Sequence, residues 1–129
     1  MAETPSDGSP DIASRSFGLA LRVVRMCSVL NKSSDVARTL GRQLLRSGTS
    51  VGANVEEAQA GQSRADFVSK MSIALKEARE TVYWLRLIQE SGVVDPSLLT
   101  ELSIEAKAVA NIIGAIVRTC KRPPPPRAS

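Results

Sequence analysis

The sequence contains no histidine and only two cysteines among its 129 residues. Without an imidazole, the chain cannot form a Ser-His-Asp triad, a Cys-His pair or a histidine-ligated metal site. Cys27 and Cys120 match no metal-binding or redox spacing, and unmatched cysteines are typical of the reducing cytoplasm. We therefore predict a cytoplasmic protein that is not an enzyme and has no metal ion, no cofactor and no small-molecule substrate.

Aromatic residues make up only 3% of the chain, while helix-forming residues are abundant. This composition favours helices, because β-structure relies on aromatic and β-branched side chains. No run approaches the ~18 apolar residues of a membrane-spanning helix, and residues 1–12 do not resemble a signal peptide. We therefore expect no membrane association.

Basic residues outnumber acidic ones, 17 to 13, which gives a net charge of +4. Over residues 12–122 the counts are 16 and 10, so this part carries +6. Such a balance suits a polyanionic partner, but it is equally typical of a basic surface without one.

Helical periodicity predicts four helices between two tails. The tails are residues 1–13, rich in proline, serine and acids, and residues 122–129, which contain four consecutive prolines. The predicted helices cover residues 14–31, 36–60 and 64–91, and a fourth that opens at Asp95-Pro96. Short connections make neighbouring helices antiparallel, so the expected fold is all-α, an up-down-up-down four-helix bundle over residues 14–121.

Each predicted helix has an apolar face for the core. The fourth has the most regular one, with steps of three and four residues that form a heptad seam. The inner residues are predicted as Phe17, Ala20, Leu21, Val24, Cys27 and Leu30; Leu40, Leu44, Ser47, Val51, Val55 and Ala58; Phe67, Met71, Ala74, Ala78, Leu85 and Ile88; and Leu99, Leu102, Ala106, Val109, Ile113, Ile116 and Cys120.

The third helix carries a second apolar stripe, formed by Ile73, Trp84 and Leu87. Eleven residues make almost three helical turns, so Ile73 and Trp84 share one side of the helix. This stripe favours an interface with another subunit, although a wide core face would also accommodate it.

The segment RSGTSVGAN, residues 46–54, is rich in residues that disfavour a helix interior. Gly48 and Gly52 would allow another helix to approach closely, and we interpret the segment as a tight helix crossing. A phosphate-binding loop is the weaker alternative, because no strand precedes it and the P-loop spacing is absent. Asn54 and Glu57, about one turn apart, are predicted to be structural, with Glu57 pairing with a buried arginine or capping a helix.

Cations recur on helical faces and could contact phosphates, with a tyrosine available to stack on a base. The alternative is a solvated face neutralised by acids at i,i+4 spacing. The candidate nucleic-acid-binding residues are Arg38, Arg42, Arg46, Arg79, Tyr83, Arg86, Arg118 and Lys121.

Two segments, RSGTSVGANVEEA at residues 46–58 and IALKEA at residues 73–78, resemble the bacterial four-helix-bundle family of 23S rRNA intervening-sequence proteins, also called S23 ribosomal proteins. The resemblance implies a ring-like homopentamer and supplies no catalytic residue. The architecture is also similar to the accessory variability determinant of diversity-generating retroelements. We predict an oligomer that binds RNA or a ribonucleoprotein. The alternative is a scaffold for a protein such as a reverse transcriptase, with nucleic-acid contact secondary.

Overall fold

A computed structural model describes residues 11–123 and residue 126, and within them it contains helices and no strand. Most of both predicted tails lies outside the described residues. A 3₁₀ turn, Pro96–Leu99, precedes the last helix. The four α-helices are α1 (Ile12–Asn31), α2 (Asp35–Ala60), α3 (Arg64–Ser91) and α4 (Thr100–Lys121).

Side-chain caps set where the first three helices begin. Asp11 accepts a hydrogen bond from the Ser14 amide at 2.7 Å, so α1 begins two residues earlier than its apolar pattern predicts. Ser34 and Ser63 cap α2 and α3 in the same way. Each cap satisfies an amide that has no partner inside the helix. The predicted bounds of α2 and α3 are confirmed to within one residue.

The start of the fourth helix differs from the prediction. Asp95 accepts a hydrogen bond from the Ser97 amide at 3.0 Å, and Pro96 follows it as expected. The first turn, however, is 3₁₀, and α4 begins only at Thr100. A tight turn of this kind is common at a helix start.

Cross-helix contacts show that all neighbouring helices are antiparallel. Arg15 near the start of α1 pairs with Glu105 of α4, whereas Arg22, further along α1, approaches the earlier Glu101. The other helix pairs follow the same rule, and α1 and α3 lie diagonally across the bundle, with no described Cα atom of one within 8 Å of a Cα atom of the other. The chain therefore forms the predicted up-down four-helix arrangement.

The predicted inner face of α1 is only partly confirmed. Leu30 is buried, and Ala20 and Cys27 are half-buried. Phe17, Leu21 and Val24, however, are 55%, 41% and 48% exposed. Apolar residues surround most of this helix, so a spacing of three and four fits more than one face. The buried set is Ser16, Leu19, Val23 and Leu30.

Glycines of α2 determine which face of α1 is buried. A Cβ atom built on Gly48 would lie 2.8 Å from both Cγ atoms of Val23. One built on Gly52 would lie 3.3 Å from the backbone oxygen of Ser16. Because α2 has no side chain at these points, the two helices approach closely and Val23 is completely buried.

The inner faces of the other helices follow the sequence pattern more closely. The α4 seam is confirmed from Leu99 to Ile113, while Ile116 and Cys120 are half-buried. In α2 the predicted stripe is buried except for half-buried Leu40, and in α3 all but half-buried Phe67 are buried. The spacing of three and four residues therefore identifies most of the buried residues of these three helices.

The ion pair between Arg15 of α1 and Glu105 of α4 makes the free energy of unfolding depend on pH. Arg15 donates from Nε to Glu105 Oε2 at 2.9 Å and from Nη2 to Oε1 at 3.1 Å. These hydrogen bonds hold the pKa of the Glu105 carboxyl below its ordinary value of 4.5. Since the folded-state pKa is lowered, the stabilisation is present above pH 4.5 and disappears as pH falls through the folded pKa.

Glu105→Gln should therefore lose stability mainly at neutral pH. We expect its free energy of unfolding to fall below that of the wild type by about 1 kcal/mol at pH 7, and the difference to shrink at pH 3. Urea denaturation at both pH values tests this. Glu101→Gln is the control, because Glu101 is 93% exposed and 4.0 Å from Arg22. A difference that stays constant with pH would contradict the assignment.

Candidate nucleic-acid interface

A cleft between α3 and α4 brings together three cations from the two helices. It encloses about 310 Å³. We call it the α3–α4 cleft. Its lining residues are Arg79, Val82, Lys107, Ala110, Asn111, Gly114 and Arg118.

Helical spacing explains this lining. Lys107, Asn111, Gly114 and Arg118 are separated by four, three and four residues, which places them beside the buried seam of α4. Gly114 lets Arg118 lie against the helix, since a Cβ there would be 3.3 Å from Nη1 of that arginine. The cleft therefore presents a row of donors along one edge of the core.

The cleft is positively charged without internal neutralisation. Within the described part of the chain, Arg79, Lys107 and Arg118 take part in no ion pair, and no carboxylate lines the cleft. Three such charges reinforce one another's potential, because low-dielectric walls concentrate the field. The Asn111 amide adds a neutral donor and acceptor. This arrangement is suited to holding phosphate oxygens.

Other candidate cations are engaged within the subunit. Arg46 donates to Glu77 at 3.2 Å and also to Glu80, both on α3. Arg86 pairs with Glu90 at 2.9 Å, which is one of the i,i+4 pairs expected for a solvated face. Arg46, predicted to contact a nucleic acid, is thus held by two carboxylates of α3 that antiparallel packing brings to it.

The remaining candidates lie apart from the cleft. Arg38 and Arg42 line a groove between α1 and α2, and Arg38 pairs with Asp35 at 2.7 Å. Tyr83 is exposed on the outer side of α3, and its ring meets that of Trp84 edge-on. Lys121 lies in the last turn of α4, one turn beyond Arg118. The structure thus distributes the predicted cations over several surfaces.

Lys107 and Asn111 are functional candidates that the sequence pattern does not reveal. Their signal is an i,i+4 pair beside the seam, since Lys107 follows the seam residue Ala106 and Asn111 lies two positions after Val109. One lysine and one asparagine do not form a recognisable sequence motif. They become significant only when α3 places Arg79 opposite them.

The residues assigned structural roles lie on α2. Gly48 and Gly52 are buried at the crossing with α1. Asn54 donates to the Ser50 backbone oxygen of its own helix at 2.9 Å, and exposed Glu57 lies 3.9 Å from Lys70. Glu57 therefore meets an exposed lysine and not the predicted buried arginine or helix end.

The second apolar stripe of α3 is partly exposed. Ile73 and Leu87 are 41% and 37% exposed. Trp84 is half-buried against the core and donates its indole N–H to Glu80 at 3.1 Å. Tyr83 contributes more outer surface than Trp84 does.

The described residues contain neither a membrane-spanning helix nor a cluster of metal ligands. None of these helices is long and apolar enough to cross a membrane. No group of three or more cysteine, aspartate or glutamate side chains lies together in a way that could hold a metal ion in this part of the chain.

Comparison with known proteins identifies relatives that match most of the bundle. The 23S rRNA-intervening sequence protein family matches residues 9–115. A crystal structure of a protein with unknown function, from the S23 ribosomal protein family of Bacteroides thetaiotaomicron, is 34% identical with a TM-score of 0.76. The match covers 84% of this chain and 99% of that one. No curated protein matches. The chain therefore belongs to the 23S rRNA-intervening sequence protein family.

Proposed function

We propose that this protein is a self-associating, non-enzymatic helical bundle that binds structured RNA through the α3–α4 cleft. One observation carries the proposal: Arg79, Lys107 and Arg118 converge there without a carboxylate. Arginine recognises phosphate through paired N–H donors, and lysine adds a point charge. Phosphate contacts position a protein on a nucleic acid without reading individual bases.

The choice of structured RNA follows from the shape and chemistry of the cleft. Double-stranded RNA is recognised mainly through its backbone and 2′-hydroxyl groups. The cleft supplies cationic donors and one amide, whereas the exposed aromatic residues Phe17 and Tyr83 lie outside it. A backbone of closely spaced phosphates therefore fits the cleft better than unstacked bases do.

Self-association would multiply the cleft. The exposed apolar residues of α3 support a contact between subunits, and the homopentamer implied by the family resemblance stays a prediction. Several clefts on one assembly would bind one RNA with higher apparent affinity, since later contacts become intramolecular.

The proposal is tested with the double variant Arg79→Gln/Arg118→Gln. We expect it to bind a fluorescently labelled structured RNA about tenfold more weakly than the wild type, with a shallower dependence on salt. Fluorescence anisotropy at low and physiological salt measures both quantities. Arg22→Gln/Arg86→Gln is the matched control, because it removes the same charge from two arginines that face carboxylates.

Two results would contradict this assignment. An equal loss in both double variants would mean that net charge, and not the cleft, governs binding. No binding by the wild type, even at low salt, would remove RNA as the partner. The alternative, a scaffold for a protein such as a reverse transcriptase, would then take its place.

A further inference from the structure

A second pocket adjoins the α3–α4 cleft and differs from it in chemistry. It encloses about 170 Å³, and we call it the Ser103 pocket. The pocket and the cleft form one continuous groove between α3 and α4, because Val82 and Lys107 line both. The lining residues of the Ser103 pocket are Val82, Arg86, Gln89, Glu90, Ser103 and Lys107.

The charges of the Ser103 pocket are largely compensated, unlike those of the cleft. Arg86 donates from Nε to Glu90 Oε2 at 2.9 Å, so these two side chains are engaged with each other. A phosphate that entered this pocket would meet the Glu90 carboxylate, whereas no carboxylate lines the cleft. The cleft therefore suits an anion, and the Ser103 pocket suits a neutral polar group.

Gln89 supplies the pocket with a hydrogen-bond acceptor. Its Nε2 atom donates to the Pro96 backbone oxygen at 3.1 Å and to Thr100 Oγ1 at 3.4 Å. Because a backbone carbonyl can only accept, these contacts fix which end of the amide is the nitrogen. The Oε1 atom of Gln89 has no donor within the described part of the chain, so it remains available to a ligand.

The Ser103 hydroxyl lacks a hydrogen-bond partner. Its Oγ atom is buried, and within residues 11–123 no group donates to it or accepts from it. Buried hydroxyls are normally paired, because an unpaired one loses its contacts with water and gains none in return. Rotation about the Cα–Cβ bond can turn Oγ toward the pocket that this residue lines. A hydroxyl group in the pocket would supply the missing partner.

From these observations we infer that the Ser103 pocket receives the 2′-hydroxyl of a ribose whose neighbouring phosphate lies in the cleft. This inference rests on the RNA binding proposed above, and it makes the groove selective for RNA over DNA. A 2′-hydroxyl both donates and accepts, so it can donate to Gln89 Oε1 and accept from Ser103 Oγ.

The spacing of the groove agrees with this assignment. Ser103 and Lys107 are one helical turn apart on α4, which is about 6 Å along the axis. Sugars and phosphates alternate along a nucleic-acid strand, and the Ser103 pocket and the cleft lie side by side along α4. DNA lacks the 2′-hydroxyl and would leave the Ser103 hydroxyl unpaired.

A fluorinated RNA tests the inference. Replacing the 2′-hydroxyls of an RNA stem-loop with fluorine keeps the phosphates and the A-form helix but removes the hydrogen-bond donor. We expect the wild type to bind the unmodified stem-loop about tenfold more tightly than the fluorinated one. Ser103→Ala should reduce this ratio to about threefold, because only the Gln89 contact remains. Fluorescence anisotropy with each labelled RNA measures the ratio.

Two further variants locate the effect. Ser72→Ala is the matched control and should keep the wild-type ratio, since Ser72 lies on α3 and lines neither the cleft nor the Ser103 pocket. Arg79→Gln/Arg118→Gln should weaken both complexes by the same factor, because both RNAs carry the phosphates that the cleft contacts. Ser103→Ala should fold as well as the wild type, since alanine removes an unpaired hydroxyl and favours a helix.

The outcomes separate this inference from the proposed function. Equal affinity of the wild type for the two RNAs would overturn the 2′-hydroxyl contact and leave RNA binding through the cleft standing. A ratio that persists unchanged in Ser103→Ala would overturn the assignment to the Ser103 pocket. Absence of RNA binding by the wild type at low salt would overturn the proposed function, and this inference with it.

Discussion

Replacing Gly48 with alanine is expected to lower the free energy of unfolding by about 2 kcal/mol, because the crossing of α1 and α2 has no room for a methyl group. The new Cβ would lie 2.8 Å from both Cγ atoms of Val23 and 3.2 Å from its Cβ. Rotating the valine side chain gives no relief, since β-branched residues in helices have one strongly preferred rotamer. The helices would have to move apart.

Gly18→Ala is the matched control for this prediction. Gly18 also lies inside a helix, but a Cβ there has no atom within 4 Å. Alanine should therefore stabilise the protein by about 0.5–1 kcal/mol, through its better helix propensity. Urea denaturation of both variants measures the difference. If Gly48→Ala were as stable as Gly18→Ala, the close approach of the two helices would be refuted.

Arg46→Ala is expected to lower the free energy of unfolding by about 2 kcal/mol, because it leaves two carboxylates without their cation. Glu77 and Glu80 lie on adjacent turns of α3, and the Glu77 side chain is only 13% exposed. Without the guanidinium they repel each other, and Glu77 has little access to water. The anchor between α2 and α3 is lost at the same time.

Arg42→Ala separates this effect from a general loss of positive charge. Arg42 lies one turn earlier on α2, and it has no ion pair among the described residues. We expect the free energy of unfolding of Arg42→Ala to change by less than about 0.5 kcal/mol.

Arg46→Ala should also leave RNA affinity within about twofold of the wild type, unlike the cleft variant. A large loss of affinity with unchanged stability would return Arg46 to the RNA-binding surface.

Arginines of the bundle have different structural roles, so their substitutions are expected to affect stability and RNA affinity differently. Arg15 and Arg46 connect helices, Arg86 is paired along its own helix, and Arg79 and Arg118 remain available in the cleft. If net charge alone governed RNA binding, substitution of any of these five arginines would weaken it equally. The proposed RNA-binding surface is therefore narrower than the basic composition suggests, and substitutions at specific arginines can test it.

Local interactions explain which features the sequence reveals on its own. The seam of α4 is recognisable there, because its apolar residues repeat every seven positions along one helix. The absence of histidine likewise excludes imidazole chemistry on composition alone. The helix order and the antiparallel arrangement follow from these features and the short connections.

Tertiary packing determined the buried face of α1, the ion-pair partners of Arg46 and the lining of the α3–α4 cleft. Three of the six predicted inner residues of α1 are exposed because apolar residues surround this helix, and the close approach of Gly48 selects Val23 for the core. The partner of Arg46 and the cleft around Lys107 depend on residues more than twenty positions away. Helix periodicity shows which side chains share a face, whereas burial and charge pairing depend on which neighbouring helix that face meets.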